Sequence, residues 1–183
     1  KELLFSLACC YSKMSEYNNA IIYFKNVIEV DSSFDRAYNN LANQYYYKKE
    51  YEIALELYNK AIELNNEVFS YFINRANLYF YTNNYDNAIN DISYIIENNN
   101  DEIGSLLYRG YLYQCKQDYN KALSDYLSAN EIETKNQLII LNIAEIYILM
   151  NNYESANNFI KELNPSQLEI ENLIPYYILL YII

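Results

Sequence analysis

The chain has 183 residues, 52% of them hydrophobic, which is enough apolar material to bury a core. Its formal charge of −11 disfavours nucleic-acid phosphates, anionic lipid and acidic partners alike. Histidine is absent, and Cys9, Cys10 and Cys115 have no paired spacing, so the sequence offers no pattern for a metal site, a disulfide framework or a cysteine nucleophile beside a base.

Residues 1–34 set the pattern for the rest of the chain. Leu4, Leu7, Ala8 and Tyr11 fall on one helical stripe; Tyr17, Ala20, Phe24, Val27 and Ile28 fall on a second. Two helices are therefore predicted, with a turn beginning near Ser15. Residues 35–68 repeat the arrangement, with Leu41, Ala42 and Tyr45 followed by Tyr51, Ala54, Tyr58, Ala61 and Ile62. The pair Tyr17 and Ala20 recurs as Tyr51 and Ala54, Tyr85 and Ala88, Tyr119 and Ala122, and Tyr153 and Ala156, each time 34 residues further on. Small residues stand eighth in every unit, as Ala8, Ala42, Ala76, Gly110 and Ala144.

Such small residues let two helix axes approach closely, and the tyrosines at positions 11 and 17 fill the space beside the contact. One hairpin alone would leave an apolar side bare, and the next unit covers it. An inserted residue would rotate every later stripe off its neighbour, so the spacing is a packing requirement.

Residues 69–102 and 103–136 differ from the other units in one respect. Positions 7 and 23 are Arg75 with Asp91 and Arg109 with Asp125, where the other units carry Leu7 with Tyr23, Leu41 with Leu57, and Ile143 with Phe159. Charge stands at both places or at neither, so each Arg is predicted to reach its Asp across the helix pair.

The fifth unit, 137–170, is predicted to end early at Asn164-Pro165, with Ser166 and Glu169 as a capping box for a following helix. In residues 171–183, Ile174, Tyr177, Ile178 and Tyr181 keep the register of a further first helix. Leu173, Tyr176, Leu179, Leu180, Ile182 and Ile183 are expected to stay exposed on its other side. Either more repeats follow or this end pairs with another chain as a homo-oligomer contact. Its run of about ten apolar residues is short of the roughly twenty that a membrane helix needs. Lys1 opens a repeat without an initiator Met, so the sequence reads as a piece of a longer protein. The one near match to an Asn-X-Ser/Thr acceptor, Asn164-Pro165-Ser166, is blocked by proline, which leans toward a cytoplasmic setting.

Five units in phase, with these residues at positions 8, 11, 17 and 20, resemble the tetratricopeptide repeat across the whole chain. The resemblance implies an all-α, right-handed superhelical solenoid of antiparallel helix pairs: a single domain of five repeats (1–34, 35–68, 69–102, 103–136 and 137–170) plus a C-terminal helix, 171–183. Two local departures stand out. Where the family has Gly at position 15, this sequence has Ser15, Lys49, Asn83, Gln117 and Asn151. In place of Pro at position 32 stand Ser32, Asn66, Asn100 and Thr134, which are expected to cap the next helix.

The resemblance also implies a concave groove lined by positions 2, 5, 6, 9, 12 and 13 of each first helix. Candidate peptide-binding residues are Asn39, Asn40, Asn43, Tyr46 and Tyr47 in the second unit and Asn74, Asn77, Phe80 and Tyr81 in the third. Tyr108 and Tyr111 follow in the fourth, and the fifth adds Leu141, Asn142, Glu145 and Ile148. The carboxylate clamp of chaperone-binding relatives would fall on Asn39, Asn43, Asn74, Gly104 and Tyr108, where every cation is missing, so acidic chaperone tails are disfavoured. An Asn side chain donates to a carbonyl and accepts from an amide at once, which suits a grip on a peptide backbone. A chain rich in Asn and Tyr could also carry these residues by composition alone.

The expected function is a non-catalytic interaction scaffold with no cofactor and no metal, engaging a protein or peptide segment in its groove. Two alternatives remain open: a self-assembling array joined through residues 171–183, and the substrate-targeting arm of a larger enzyme.

Overall fold

The computed structural model describes residues 1–98, 102–164, 166 and 179. Among them ten helices follow one another and no strand occurs. They run α1 (Glu2–Lys13), α2 (Tyr17–Val30), α3 (Asp35–Tyr47), α4 (Tyr51–Leu64), α5 (Phe69–Tyr81), α6 (Tyr85–Glu97), α7 (Glu102–Cys115), α8 (Tyr119–Ile132), α9 (Gln137–Leu149) and α10 (Tyr153–Ile160). The fold is an all-α repeat solenoid whose helices alternate as the two stripes require. It divides into two compact units, Lys1–Asp91 and Ile92–Ile183.

In the first unit each helix from α1 to α4 packs on the next, and α3 touches both α1 and α5, so successive first helices lie side by side. Its core joins Ala8, Ala20, Phe24, Ala42, Ala54 and Tyr58, none more than 1% exposed. The small residues at positions 8 and 20 are therefore buried in one cluster with the large rings. In the second unit α7 packs on α8, α8 on α9 and α9 on α10. Leu106, Ala122, Tyr126, Ala129, Ile139, Ile143 and Ile146 form a buried cluster there.

The turn inside each pair repeats as closely as the core does. Ser15, Lys49, Asn83, Gln117 and Asn151 have φ of 59°, 62°, 58°, 62° and 59°, the left-handed region where Gly is the usual residue. The reason is a Schellman ending. The next residue's amide reaches back to the carbonyl of the position-11 tyrosine: Glu16 N to Tyr11 O at 2.9 Å, Glu50 N to Tyr45 O at 2.9 Å and Asn84 N to Tyr79 O at 2.8 Å. Asp118 N to Tyr113 O at 2.9 Å and Asn152 N to Tyr147 O at 2.8 Å complete the set. Carbonyls left open at each helix end are satisfied this way, which holds even Lys49 and Gln117 in a conformation they disfavour.

The caps expected at position 32 are corrected by the structure. The helices begin two residues later, with Phe34, Val68 and Asn136 at the N-cap, so Ser32, Asn66 and Thr134 lie in the preceding turn. Asp31 Oδ1 accepts from Ser33 N at 3.0 Å and Asn65 Oδ1 from Glu67 N at 3.2 Å. These side chains tie the turn together and use up position 32 before the helix starts. Of the three N-caps, Asn136 alone caps with its side chain, accepting from Leu138 N and Ile139 N. Asn100 lies outside the described residues.

Both charged pairs form as the sequence predicts. Arg75 Nε donates to Asp91 Oδ2 at 2.9 Å and its Nη2 to Asp91 Oδ1 at 2.6 Å; Arg109 makes the same bonds to Asp125 at 2.8 and 2.7 Å. The remaining Nη1 of each reaches the hairpin before it, Arg75 to Asn59 Oδ1 at 2.7 Å and Arg109 to Ser93 Oγ at 3.0 Å. The hydrogen bond from Arg109 to Asp125 holds the guanidinium pKa above its ordinary value. Each pair is thus a fastener both within and between hairpins.

Gly110 has its own local cause. A Cβ there would stand 2.6 Å from Cε1 of Tyr126, whereas the corresponding Ala42 coexists with Tyr58. The two rings are held differently: the Tyr58 hydroxyl donates to Asn43 Oδ1, the Tyr126 hydroxyl to Gln114 Oε1 at 3.2 Å. The Tyr126 ring occupies the space an alanine methyl would need.

At the C-terminal end, the expectation that Leu179 stays exposed is overturned. Leu179 is 6% exposed and packs with Ile140, Leu141, Ala144, Ile160 and Leu163. Apolar surface on the fifth hairpin draws it inward. The predicted capping box and the remainder of the 171–183 helix lie outside the described residues.

Candidate functional site

The first unit places α1, α3 and α5 side by side, so the residues expected at positions 2, 5, 6, 9, 12 and 13 stand on adjacent helices as a candidate wall. Its floor is polar. Asn39 is 7% exposed, and its Oδ1 accepts from Asn74 Nδ2 at 2.9 Å, a bond from one first helix to the next. The Asn39 amide in turn faces Asn40 Oδ1 at 3.4 Å. Asn40, half-buried, directs its own amide toward Cys9 Sγ at 3.9 Å on α1. Asn43 gives its acceptor to Tyr58, and Asn77 is half-buried on α5.

Sequence reasoning passed over Gln44, which is 1% exposed between α1 and α3. Its Nε2 donates to Ser12 Oγ at 2.9 Å and to the Asn40 carbonyl at 3.1 Å, leaving Oε1 without a partner. The tenth position is otherwise Cys10, Leu78, Leu112 and Ile146, so the signal that could have found Gln44 is an amide at a place the other units keep apolar. It steadies the backbone under Asn40.

Above the asparagines runs an aromatic edge. Tyr17 stacks on Tyr47 at 5.5 Å between ring centroids, Tyr47 meets Tyr46 edge-on at 5.7 Å, and Tyr46 meets Tyr81 at 5.5 Å. Phe80 adjoins Tyr81 at 5.6 Å. Tyr47 and Tyr81 are 57% and 62% exposed, so much of the edge is open to solvent. Burial, helped by a hydrogen bond with Tyr81, pushes the Tyr46 phenol well above its ordinary pKa, so it stays neutral.

Two shallow pockets open on this wall. One, of about 440 Å³, is bordered by Arg36, Asn39, Asn40, Asn65, Ser70 and Tyr71 among others; the second, of about 290 Å³, by Phe5, Ser6, Cys9, Lys13 and Arg36. They flank the Arg36 side chain, which occupies position 2 of its unit and carries no mark of its own in the sequence pattern.

Tyr108 and Tyr111 lie on α7 in the second unit, Tyr108 half-buried and Tyr111 46% exposed. Leu141, expected to line the groove, is instead 4% exposed in the cluster with Leu179, and Ile148 packs against the same cluster. At the fifth repeat the chain covers its own wall. Groups of His, Cys, Asp or Glu able to hold a metal ion do not occur among the described residues, and no helix there is long and apolar enough to cross a membrane.

Comparison with known proteins gives the repeat an independent footing. Two family models, each described as tetratricopeptide repeat, match residues 1–34 and 35–67. A crystal structure of MamA is similar with a TM-score of 0.77 at 16% identity, covering 88% of this chain and 88% of that one. MamA from Desulfovibrio magneticus RS-1 gives 0.78 at 12% identity over 92% and 97% of the two chains. YrrB, described as a TPR protein with an unusual peptide-binding site, gives 0.70 at 21% identity over 87% and 82%. No curated protein sequence matches the chain.

Proposed function

We propose, from the premise that the chain belongs to the tetratricopeptide repeat proteins and serves as a protein-interaction scaffold, that it holds an extended peptide segment against the inner wall of its first unit. The observation that carries this reading is the wall itself. The half-buried amide of Asn40 stands between exposed tyrosines and two open pockets. An extended backbone offers alternating carbonyls and amides, which such an amide satisfies in either direction, and the rings of Tyr47 and Tyr81 accept apolar or proline side chains. The peptide-binding description of YrrB points the same way.

The asparagines of the wall divide the work. Asn39 and Asn74 hold each other, and Asn43 holds Tyr58, so these three fix the wall's shape. Asn40 has only long contacts, 3.4 Å to Asn39 and 3.9 Å to Cys9, which a peptide group can replace with shorter ones. Asn40 is therefore the one we assign to the ligand. Its replacement by Ala, with panning against a displayed library of twelve-residue peptides, tests the assignment. Capture is expected to fall about fivefold, since a lost amide contact costs about 1 kcal/mol. Helix content by circular dichroism is expected to stay constant; undiminished capture rules the assignment out.

A further inference from the structure

The sequence has three arginines, and the structure uses them unequally. Arg75 and Arg109 are each locked to a carboxylate by two hydrogen bonds. Arg36 is exposed on the inner wall, its guanidinium 4.9 Å from the centroid of Phe5, and it forms no ion pair with the described residues. The nearest acid in sequence, Asp35, is engaged by the Tyr71 hydroxyl at 3.1 Å. Lys13 borders the same pocket as Arg36, with Glu2 at its far rim.

This wall departs from the charge of the whole. The chain carries −11, yet among positions 2, 5, 6, 9, 12 and 13 of the first three repeats the charged residues are Glu2, Lys13 and Arg36. The second helix α4 carries Glu52, Glu56 and Glu63, whereas on the first helices Asp35 borders one pocket and Glu2 the other. An acidic protein that leaves a guanidinium bare on its inner wall presents a local complement to negative charge. Burial pushes up the Cys9 thiol against the opposing charge of Arg36, while at Tyr71 burial and the Asp35 carboxylate together push the phenol up and outweigh Arg36.

The geometry points to Arg36 as the anchor for an aspartate or glutamate side chain within the bound peptide, with Phe5 beneath the guanidinium and Asn40 beside it. This rests on the peptide groove proposed for the first unit and names the chemistry of its ligand. An internal side chain fits better than a terminal carboxylate because pockets open on both sides of Arg36. A segment that ended there would leave one of them empty. The overall charge disfavours a richly acidic partner; a single carboxylate on an otherwise neutral segment meets the Arg36 guanidinium, with Lys13 bordering the same pocket.

The test uses the full 183-residue chain and matched twelve-residue peptides drawn from the library binders, identical but for one central Glu or Gln. Wild-type protein is expected to bind the Glu peptide about tenfold more tightly. Arg36→Gln should remove that preference, so that the Glu and Gln peptides bind alike. Arg36→Glu, which keeps a charged surface residue should Arg36→Gln misfold, should reverse it in favour of a Lys peptide. Binders that show no Glu preference, or a preference that survives Arg36→Gln, overturn the anchor while the groove reading stands. If no peptide is captured at all, both readings fall together.

Discussion

The inner wall of the first unit and that of the second are built on the same 34-residue frame but end differently. In the first, position 5 of the second repeat is Asn39 and the wall around it stays open, with pockets beside Arg36 and tyrosines 57% and 62% exposed. In the second, the same position of the fifth repeat is Leu141, 4% exposed against Leu179. The frame determines where a side chain stands. The residue type determines whether the chain itself covers it or leaves it for something else, because apolar surface left bare in water draws in the nearest apolar segment and an amide does not.

If the frame is common and only the walls differ, matched substitutions in the frame should cost the same in both units. Asp91→Ala and Asp125→Ala each leave a partly buried guanidinium without its carboxylate, and each is expected to cost about 3–5 kcal/mol in denaturant melts. The paired change of Arg75 and Asp91 to Leu, which restores the composition of the second repeat, should be milder than Asp91→Ala alone. A double variant that melts lower than the single one contradicts the pairing.

Wall substitutions should behave unequally. Leu141→Asn buries an amide in an apolar cluster and is expected to lose about 2–4 kcal/mol. The opposite change, Asn39→Leu, gives up the bond to Asn74 and should lose only about 1 kcal/mol. Equal losses from the two would show that the walls are not distinct environments.

The smallest effect sharpens the frame itself. Lys49→Gly in the first unit and Gln117→Gly in the second relieve a left-handed backbone, and each is expected to stabilise by roughly 0.5–1 kcal/mol after the entropy of the added glycine is counted. Asn83→Gly, where the native residue already tolerates the conformation, should gain less. Thermal unfolding of the three variants side by side gives the ranking.

Much of this was written in the sequence. Constant spacing fixed helix pairs, close contacts at Ala8, Ala42 and Ala76, and both Arg–Asp bridges, since each depends on period and on charge appearing two at a time. The site was less legible. Asn39, Asn40 and Asn43 look alike in sequence, yet one is bonded to Asn74, one faces Cys9 and one holds Tyr58. Position within a repeat names the face a residue occupies; it does not say whether a neighbour 15 or 35 residues away has already taken its hydrogen bonds.

The sequence by itself determined the helix pairs and their register, because these follow from local period and from a chain that cannot slip without exposing apolar surface. Only the tertiary structure decided which polar groups are spent on holding the wall, that Tyr126 excludes a methyl at Gly110, and that Arg36 alone among the arginines has no carboxylate partner among the described residues. Those outcomes depend on distances between side chains from different helices, and no single helix contains them.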